Sequence, residues 1–324
     1  MSNDSFIKPK DHEAAVQAIV NAHQSTLALS AIPPTFSHAS LEPAVYQVAR
    51  HACLRLGFID KDAACVARAW QNQTVRTGHF DALQWPIEPL DFGIQPLPRA
   101  NSFAACPQQL GLYAVLPDAA WVARMAQAGV PTLQLRFKSN DPAAINREVL
   151  SAVQAVKDTD ALLFINDHWQ AAIDAGAYGV HLGQEDIDTA DLDAIRLAGL
   201  RLGLSTHGYA EMCLADTYAP SYMAMGAVFP TTLKRMVTAA QGTGRLRAYA
   251  QLLREYPLVA IGGIDFARLT EVMGSGVGSV AVVRALIAVN DPEAEARRLS
   301  DAIHKLSHPM RAKKQAIIWG FIPQ

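Results

Sequence analysis

The sequence predicts an α/β protein: a (β/α)8 TIM barrel preceded by a small, mainly helical N-terminal domain. Three observations carry this. Eight short apolar, often β-branched runs recur, each followed by a helical pattern. A proline-rich stretch separates them from an alanine-rich opening. The length, 324 residues, accommodates a barrel of about 200–250 residues and a smaller unit. A doubly wound open sheet is the alternative fold for the same alternation.

From about His12 to Gln73 the text is helical: "HEAAVQAIVNAH", "PAVYQVARHACLRLG" and "DKDAACVARAWQNQ". Pro43 suits a first helical position and Gly57 a C-terminal cap. Between Gln84 and Pro107, Pro86, Pro89, Pro96, Pro98 and Pro107 exclude a helix interior or a central strand. The expected division is therefore a helical region at 1–83, a linker at 84–110, the barrel at 111–306 and a tail at 307–324.

The barrel strands are expected in "GLYAVLP", "TLQLRFK", "LLFIND", "GVHLGQ", "RLGLST", "YMAMGAVFP", "LVAIGGI" and "SVAVVRAL". Helical patterns follow, such as "AAWVARMAQAG", "GRLRAYAQLLREY" and "DFARLTEVMGSG".

Half of the residues are apolar and 18% charged, which excludes disorder as the dominant state. A net charge of −2 advertises no nucleic-acid or anionic-membrane partner, and Arg311, Lys313 and Lys314 in the tail are too few to change that. Cys53, Cys65, Cys106 and Cys213 lack C-x-x-C spacing and suit four reduced thiols. The opening "MSNDSFIKPKDHEAAV" lacks a signal-peptide pattern, and no apolar run reaches the ~20 residues of a membrane span. A cytoplasmic protein acting on small molecules is the expectation, with homo-oligomerisation left open.

In such a barrel the chemistry sits at the C-terminal ends of the strands. Those ends carry Gln134, Arg136 and Lys138; Asn166 and Asp167; His181, Gln184, Glu185 and Asp186; Ser205, Thr206 and His207; Thr231, Thr232 and Lys234; Gly262 and Gly263; and Arg284. Asp167 and Asp186 end consecutive strands, so closure brings two carboxylates together. A hard divalent cation relieves their repulsion, and Mg2+ takes one or two carboxylates while phosphate oxygens and water complete its shell. The plainer reading is that Asp167 caps the helix near His168 and Asp186 opens a polar loop.

Arg136, Lys138 and Lys234 on the same rim make a metal–diphosphate site the better joint reading, with pyrophosphate as the leaving group. Taken alone, "QLRFK" is a weak signal, with a solvated strand end as its alternative. "VAIGGI" followed by Asp265 is either a phosphate cradle or a turn that merely needs glycine. His207 takes a structural reading, since nothing pairs it with a nucleophile, and so do the other nine histidines, although His181 points from a strand end where it could line the pocket.

Seven segments, "QLRFK", "INDHW", "GVHLGQED", "GLSTH", "GAVFPTTLK", "VAIGGI" and "SVAVV", stand in the order and spacing of one family. Residues 111 to about 305 resemble thiamine phosphate synthase. The resemblance implies that an aminopyrimidine methyl diphosphate is joined to a thiazole phosphate, giving thiamine phosphate and pyrophosphate with Mg2+ as cofactor. It places the pyrimidine diphosphate on Gln134, Arg136, Lys138 and Asn166, and the metal on Asp167 and Asp186. It places the thiazole phosphate near Thr231, Thr232, Gly262, Gly263, Val283 and Arg284, with Ser205 and Lys234 at the reacting groups.

Three positions depart from the family pattern. Phe137 replaces an acid, Leu233 replaces a threonine that helps hold the thiazole phosphate, and Arg284 replaces a serine. Arg284 either supplies charge to that phosphate or points out of the barrel. A thiazole tautomerase-like isomerase using His207, and a non-catalytic binder of a thiamine precursor, are the competing readings; the carboxylate pair weighs against both. Residues 1 to about 105 lie outside the resemblance, where a docking or dimerising helical module is expected.

Overall fold

The computed structural model describes residues 11–29, 42–231 and 239–307. Thr232, Leu233 and Lys234, and the tail beyond Ser307, lie outside the described residues.

The opening forms three helices: α1 (His12–Leu27), α2 (Ala44–Arg55) and α3 (Asp60–Thr77). Pro43 is the N-cap of α2 rather than its first residue, because its ψ of 149° is still extended. Gly57, with φ 80°, takes the left-handed turn just beyond the end of α2, and Gly78 does the same for α3.

Eight parallel strands close in sequence order: β1 (Gly111–Leu116), β2 (Thr132–Leu135), β3 (Leu162–Asn166), β4 (Gly179–Leu182), β5 (Arg201–Thr206), β6 (Tyr222–Met225), β7 (Leu258–Ile261) and β8 (Ser279–Val282). β8 pairs back to β1 with Tyr113 opposite Ala281. Around them lie α4 (Ala119–Gln127), α5 (Pro142–Val156), α6 (Trp169–Ala175), α7 (Gln184–Ile187), α8 (Leu192–Leu197), α9 (Tyr209–Thr217), α10 (Gly242–Leu252), α11 (Leu269–Met273), α12 (Arg284–Ile287) and α13 (Pro292–Ser307).

Sequence chemistry starts several of these helices. Asp118, Asp141 and Asp191 each accept a backbone N–H in the first turn of α4, α5 and α8, and Pro142 opens α5 where its missing N–H costs nothing.

Alternation along the strands produces two interiors. One face, with Leu112, Leu116, Leu133, Ile165, Leu204 and Met223, packs on the helices. The other fills the lumen with Tyr113, Val115, Phe164, Tyr222, Val259 and Ala281. Three aromatic rings fit there because neighbouring strands present glycine. A Cβ on Gly179 would lie 2.6 Å from Cε1 of Phe164, and one on Gly203 would overlap Cζ of Tyr222. This aromatic plug closes the lumen below the strand ends, so the cavity opens above it.

The N-terminal helices share the outer interior. Val16, Ile19, Val45, Val48, Val66 and Trp70 belong to the same apolar cluster as the strand and helix residues of the barrel. Trp85 Nε1 donates to the hydroxyl of Tyr209 on α9 at 2.9 Å. Arg245 of α10, 2% exposed, donates to the carbonyls of Leu27 and Leu56, both at 2.9 Å, and its guanidinium lies 3.6 Å from the centre of the Phe58 ring. The proline-rich stretch is fastened as well, with Arg99 donating to Asp216 Oδ1 at 2.5 Å. All four cysteines are free thiols, and the sulfurs of Cys65 on α3 and Cys213 on α9 are 3.4 Å apart. Among the described residues no helix is long and apolar enough to cross a membrane.

Candidate active site

The strand ends surround a cavity of about 740 Å³. Its wall includes Gln134, Arg136, Asn166, His181, Ser205, His207 and Thr231, and on the opposite side Gly262, Gly263, Val283 and Arg284. Lys138, Asp167 and Asp186 are not in that wall; they form a cluster beside it, adjoining through Arg136 and Asn166.

β2 ends at Leu135, but the alternation continues past it. Gln134 is inward and only 4% exposed, and its Nε2 donates to Oδ1 of Asn166 at 3.0 Å. Arg136 is exposed at the cavity mouth, and Lys138, two residues on, extends Nζ to Asp167 Oδ2 at 2.6 Å. The residue between them, Phe137, lends its carbonyl to Nε2 of His168 at 2.9 Å.

Asp167 is one of two non-glycine residues with positive φ among the described residues, at 64°. Its N–H still bonds the carbonyl of His181 at 3.1 Å, so the ladder to β4 persists one residue beyond β3. Asp and Asn tolerate this left-handed conformation better than most side chains, and strain of this kind clusters at functional positions. The helix-cap reading fails for Asp167: the N-cap of α6 is His168, which makes no side-chain cap bond. The polar-loop reading of Asp186 gives way as well: it lies in the short helix α7, and its Oδ2 accepts the N–H of the N-cap residue Gly183 at 3.0 Å.

Asp167 and Asp186 are neighbours. Burial first, and then the Asp167 carboxylate, push the Asp186 carboxyl above its ordinary value, against the pull of the Gly183 N–H and Lys138. This is the electrostatic signature of two acids held together. Among the described residues no cluster of three or more His, Cys, Asp or Glu surrounds a common point. Two hard oxygen donors fit a cation such as Mg2+, which keeps most of its shell for water and phosphate oxygens.

Sequence reasoning did not find the line of hydroxyls and imidazole that rises from the lumen. Tyr113 and Tyr222 share a hydrogen bond between their hydroxyls at 2.7 Å. Tyr222 is 2.7 Å from Nδ1 of His181, whose Nε2 is 2.8 Å from Oγ of Ser205. Burial pushes the imidazole of His181 down to about 4, so at neutral pH it is uncharged and offers one donor and one acceptor nitrogen. The signal was inward alternation in "YMAM", which puts Tyr222 below the site, but nothing local says what it reaches. Ser205 is held a second time, by Nε2 of Gln184 on its carbonyl at 2.6 Å.

The glycine turn after β7 has φ 106° at Gly262 and 65° at Gly263. A Cβ on Gly262 would lie 2.5 Å from that of Ala227, and one on Gly263 would lie 2.8 Å from the carbonyl oxygen of Pro230. The turn therefore needs glycine to let the loop after β6 close over it, with Phe229 N–H bonding the Gly262 carbonyl at 3.0 Å. Both glycines also line the cavity, so the packing and cradle readings coexist. Arg284, an exposed residue at the start of α12, contributes to the same lining. A further cation that the sequence did not single out, Arg268, lines the same side; it donates to the Gly263 carbonyl and lies over Phe229. His207 is fixed by Glu211, whose Oε2 is 2.7 Å from Nδ1 and accepts the His207 N–H at 2.8 Å.

Residues 112–286, just over half of the chain, match the family model described as thiamine monophosphate synthase. The chain belongs to that family. A thiamine-phosphate synthase of Neisseria meningitidis (serogroup A / serotype 4A) is 52% identical over 193 residues, 60% of this chain and 94% of the relative. One of Yersinia pseudotuberculosis (serotype O:1b) is 49% identical over 189 residues, 58% of this chain and 88% of the relative. Among solved structures, the thiamine phosphate pyrophosphorylase of Pyrococcus furiosus superposes with a TM-score of 0.55 at 27% identity, covering 61% of this chain and 96% of that one. This member of the thiamine monophosphate synthase family is a thiamine-phosphate synthase, a transferase, and its substrates are small molecules. The family match begins at Leu112, so α1–α3 lie outside it.

Proposed function

We propose that the synthase reaction here is a Mg2+-assisted, dissociative displacement in which the cluster beside the cavity receives the diphosphate of an aminopyrimidine methyl diphosphate. The observation that carries this reading is the Asp167–Asp186 pair, abutting with Lys138 bound to one of them and Arg136 beside it. When bound, Mg2+ supplies charge neutralisation for the departing pyrophosphate. Asp167 and Asp186 would hold it.

The protein's own groups do the rest. Arg136 offers a planar fork to the diphosphate oxygens and Lys138 a mobile charge; Lys138 leaves Asp167 for the substrate when the diphosphate arrives. Asn166 joins them through its amide, and Gln134, held by Asn166, faces the pyrimidine. The C–O bond between the methylene carbon and the diphosphate breaks, leaving a pyrimidine-stabilised cation, and the C–N bond to the thiazole nitrogen then forms. No nucleophilic side chain is needed. Orientation and electrostatic stabilisation supply the rate. Ser205, pinned by His181 and Gln184, lies beside the reacting groups, and Lys234 is assigned to the same diphosphate from its place in the sequence. The thiazole phosphate takes the opposite wall, with Thr231, Gly262, Gly263, Val283 and Arg284, and Arg268 on that wall adds a cation; Thr232 is assigned to the same phosphate from its place in the sequence.

The test is formation of thiamine phosphate and pyrophosphate from both substrates, first with Mg2+ and then with EDTA. Equal rates in the two conditions would remove the metal from the mechanism and leave Arg136, Lys138 and Lys234 as the only counter-charges.

A further inference from the structure

α9 begins without a cap of its own. Its N-cap is Gly208, which has no side chain, whereas α4, α5 and α8 each start with an aspartate that binds the first turn. The missing acceptor comes from the N-terminal unit. Asp62, in the first turn of α3 and 4% exposed, accepts the N–H of Ala210 through Oδ1 at 2.8 Å, across 148 residues of chain.

Gly208 is shaped for this visitor. Its φ of −173° is extended backbone that any residue adopts, so conformation does not demand glycine there. Space does. A Cβ on Gly208 would lie 2.7 Å from Cγ of Asp62 and closer still to Oδ2. The side chain that would ordinarily cap α9 is absent, and a carboxylate from another part of the chain occupies its place.

The first turn of α9 also follows closely on the end of β5, where Ser205 and Thr206, and His207 just after them, line the cavity. Glu211 in that turn grips both the N–H and the ring of His207. Where the turn sits therefore decides where His207 sits, since the end of β5 is already held by its pairing with β6.

We infer that Asp62 is a positioning residue for the synthase site: the N-terminal unit supplies the missing N-cap of α9 and so sets the wall of the cavity formed by the β5–α9 loop. The inference rests on the assignment of the active cavity to the strand ends, and it gives α1–α3 a part in catalysis.

The experiment uses the full chain and measures kcat and the KM of each substrate for wild type, Asp62→Ala and Asp62→Ala/Gly208→Ser. The double variant places a capping hydroxyl on α9 itself, in the room the carboxylate leaves. Asp62→Ala is expected to lose about tenfold or more in kcat/KM while remaining folded by circular dichroism, since misplacement of a site wall by about 1 Å is felt strongly. The double variant is expected to recover most of that loss. Wild-type activity in the same assay keeps the functional reading separate from this one. Kinetic constants of Asp62→Ala within twofold of wild type, whatever its melting temperature, would overturn the inference, as would a double variant that regains thermal stability but not kcat/KM. Should Asp62→Ala not fold, Asp62→Glu takes its place with the same two outcomes, because it keeps the charge but carries the acceptor one methylene too far.

Discussion

Asp186 illustrates how a functional side chain works against stability when its ligand is away. A carboxyl raised above its ordinary value binds its proton more tightly in the folded state. Its ionisation therefore costs stability as pH rises through the folded value. Asp186→Asn removes that cost at neutral pH and keeps an oxygen for the Gly183 N–H. The expected outcome is a metal-free melting temperature equal to or above wild type, loss of the Mg2+-induced rise in melting temperature, and turnover reduced by about 10²-fold or more. Thermal scans with and without Mg2+, alongside steady-state assays, check all three; a preserved Mg2+ shift would detach Asp186 from the metal. His181 has the opposite sign. Burial depresses it to about 4, so the unfolded chain takes up its proton first as pH falls, and stability is lost between about 6.5 and 4. Denaturant melts of wild type and His181→Gln should therefore converge by about 3 kcal/mol between pH 7 and pH 4. Parallel pH profiles would mean that the imidazole takes up its proton as readily inside the barrel as in the unfolded chain.

The strands show which features a local pattern reveals. Every expected strand forms, because inward and outward apolar positions alternate and helices follow each run. The end positions followed from the same alternation, which is why Gln134, Asn166, His181 and Ser205 converge as expected. The contents of the lumen were not legible. Phe164 pairs with Gly179, and Tyr222 with Gly203, across strands whose register only closure fixes. Gly203→Ala tests this complementarity. Its methyl group has no room beside the Tyr222 ring, so the ring must move, and with it the hydrogen bonds to Tyr113 and His181. Overpacking of this kind costs about 1–3 kcal/mol, and the displaced hydroxyl leaves His181 short of a partner. The expected result is a lower urea midpoint together with a fall in kcat, the second because Ser205 loses a fixed neighbour. A normal midpoint would show that the lumen yields more easily than a close-packed interior should.

The interdependence of the N-terminal unit and the barrel appears only in the whole molecule. The proline-rich composition of residues 84–110 marks a break in pattern, yet Trp85, Ile94 and Phe103 within it are buried in the interior shared by α1–α3 and the barrel. Sequence could not show this, since the contacts that join the parts span long separations: Arg245 reaches Leu27 across 218 residues and Leu56 across 189. A shared interior makes unfolding cooperative across both parts. Tryptophan emission, to which Trp70 and Trp85 in the N-terminal part, Trp121 and Trp169 in the barrel and Trp319 in the tail contribute, should therefore change at the same urea concentration as far-UV ellipticity. Arg245→Ala should lower that midpoint by the equivalent of about 3 kcal/mol, because two buried carbonyls lose their donor and Phe58 loses the guanidinium stacked on it. Both signals should still move together, since Trp70, Val16 and the barrel strands remain in one apolar cluster. If emission instead changed well before ellipticity in this variant, Arg245 would be the joint on which cooperativity depends, and the apolar contact between the two parts would be too weak to couple them.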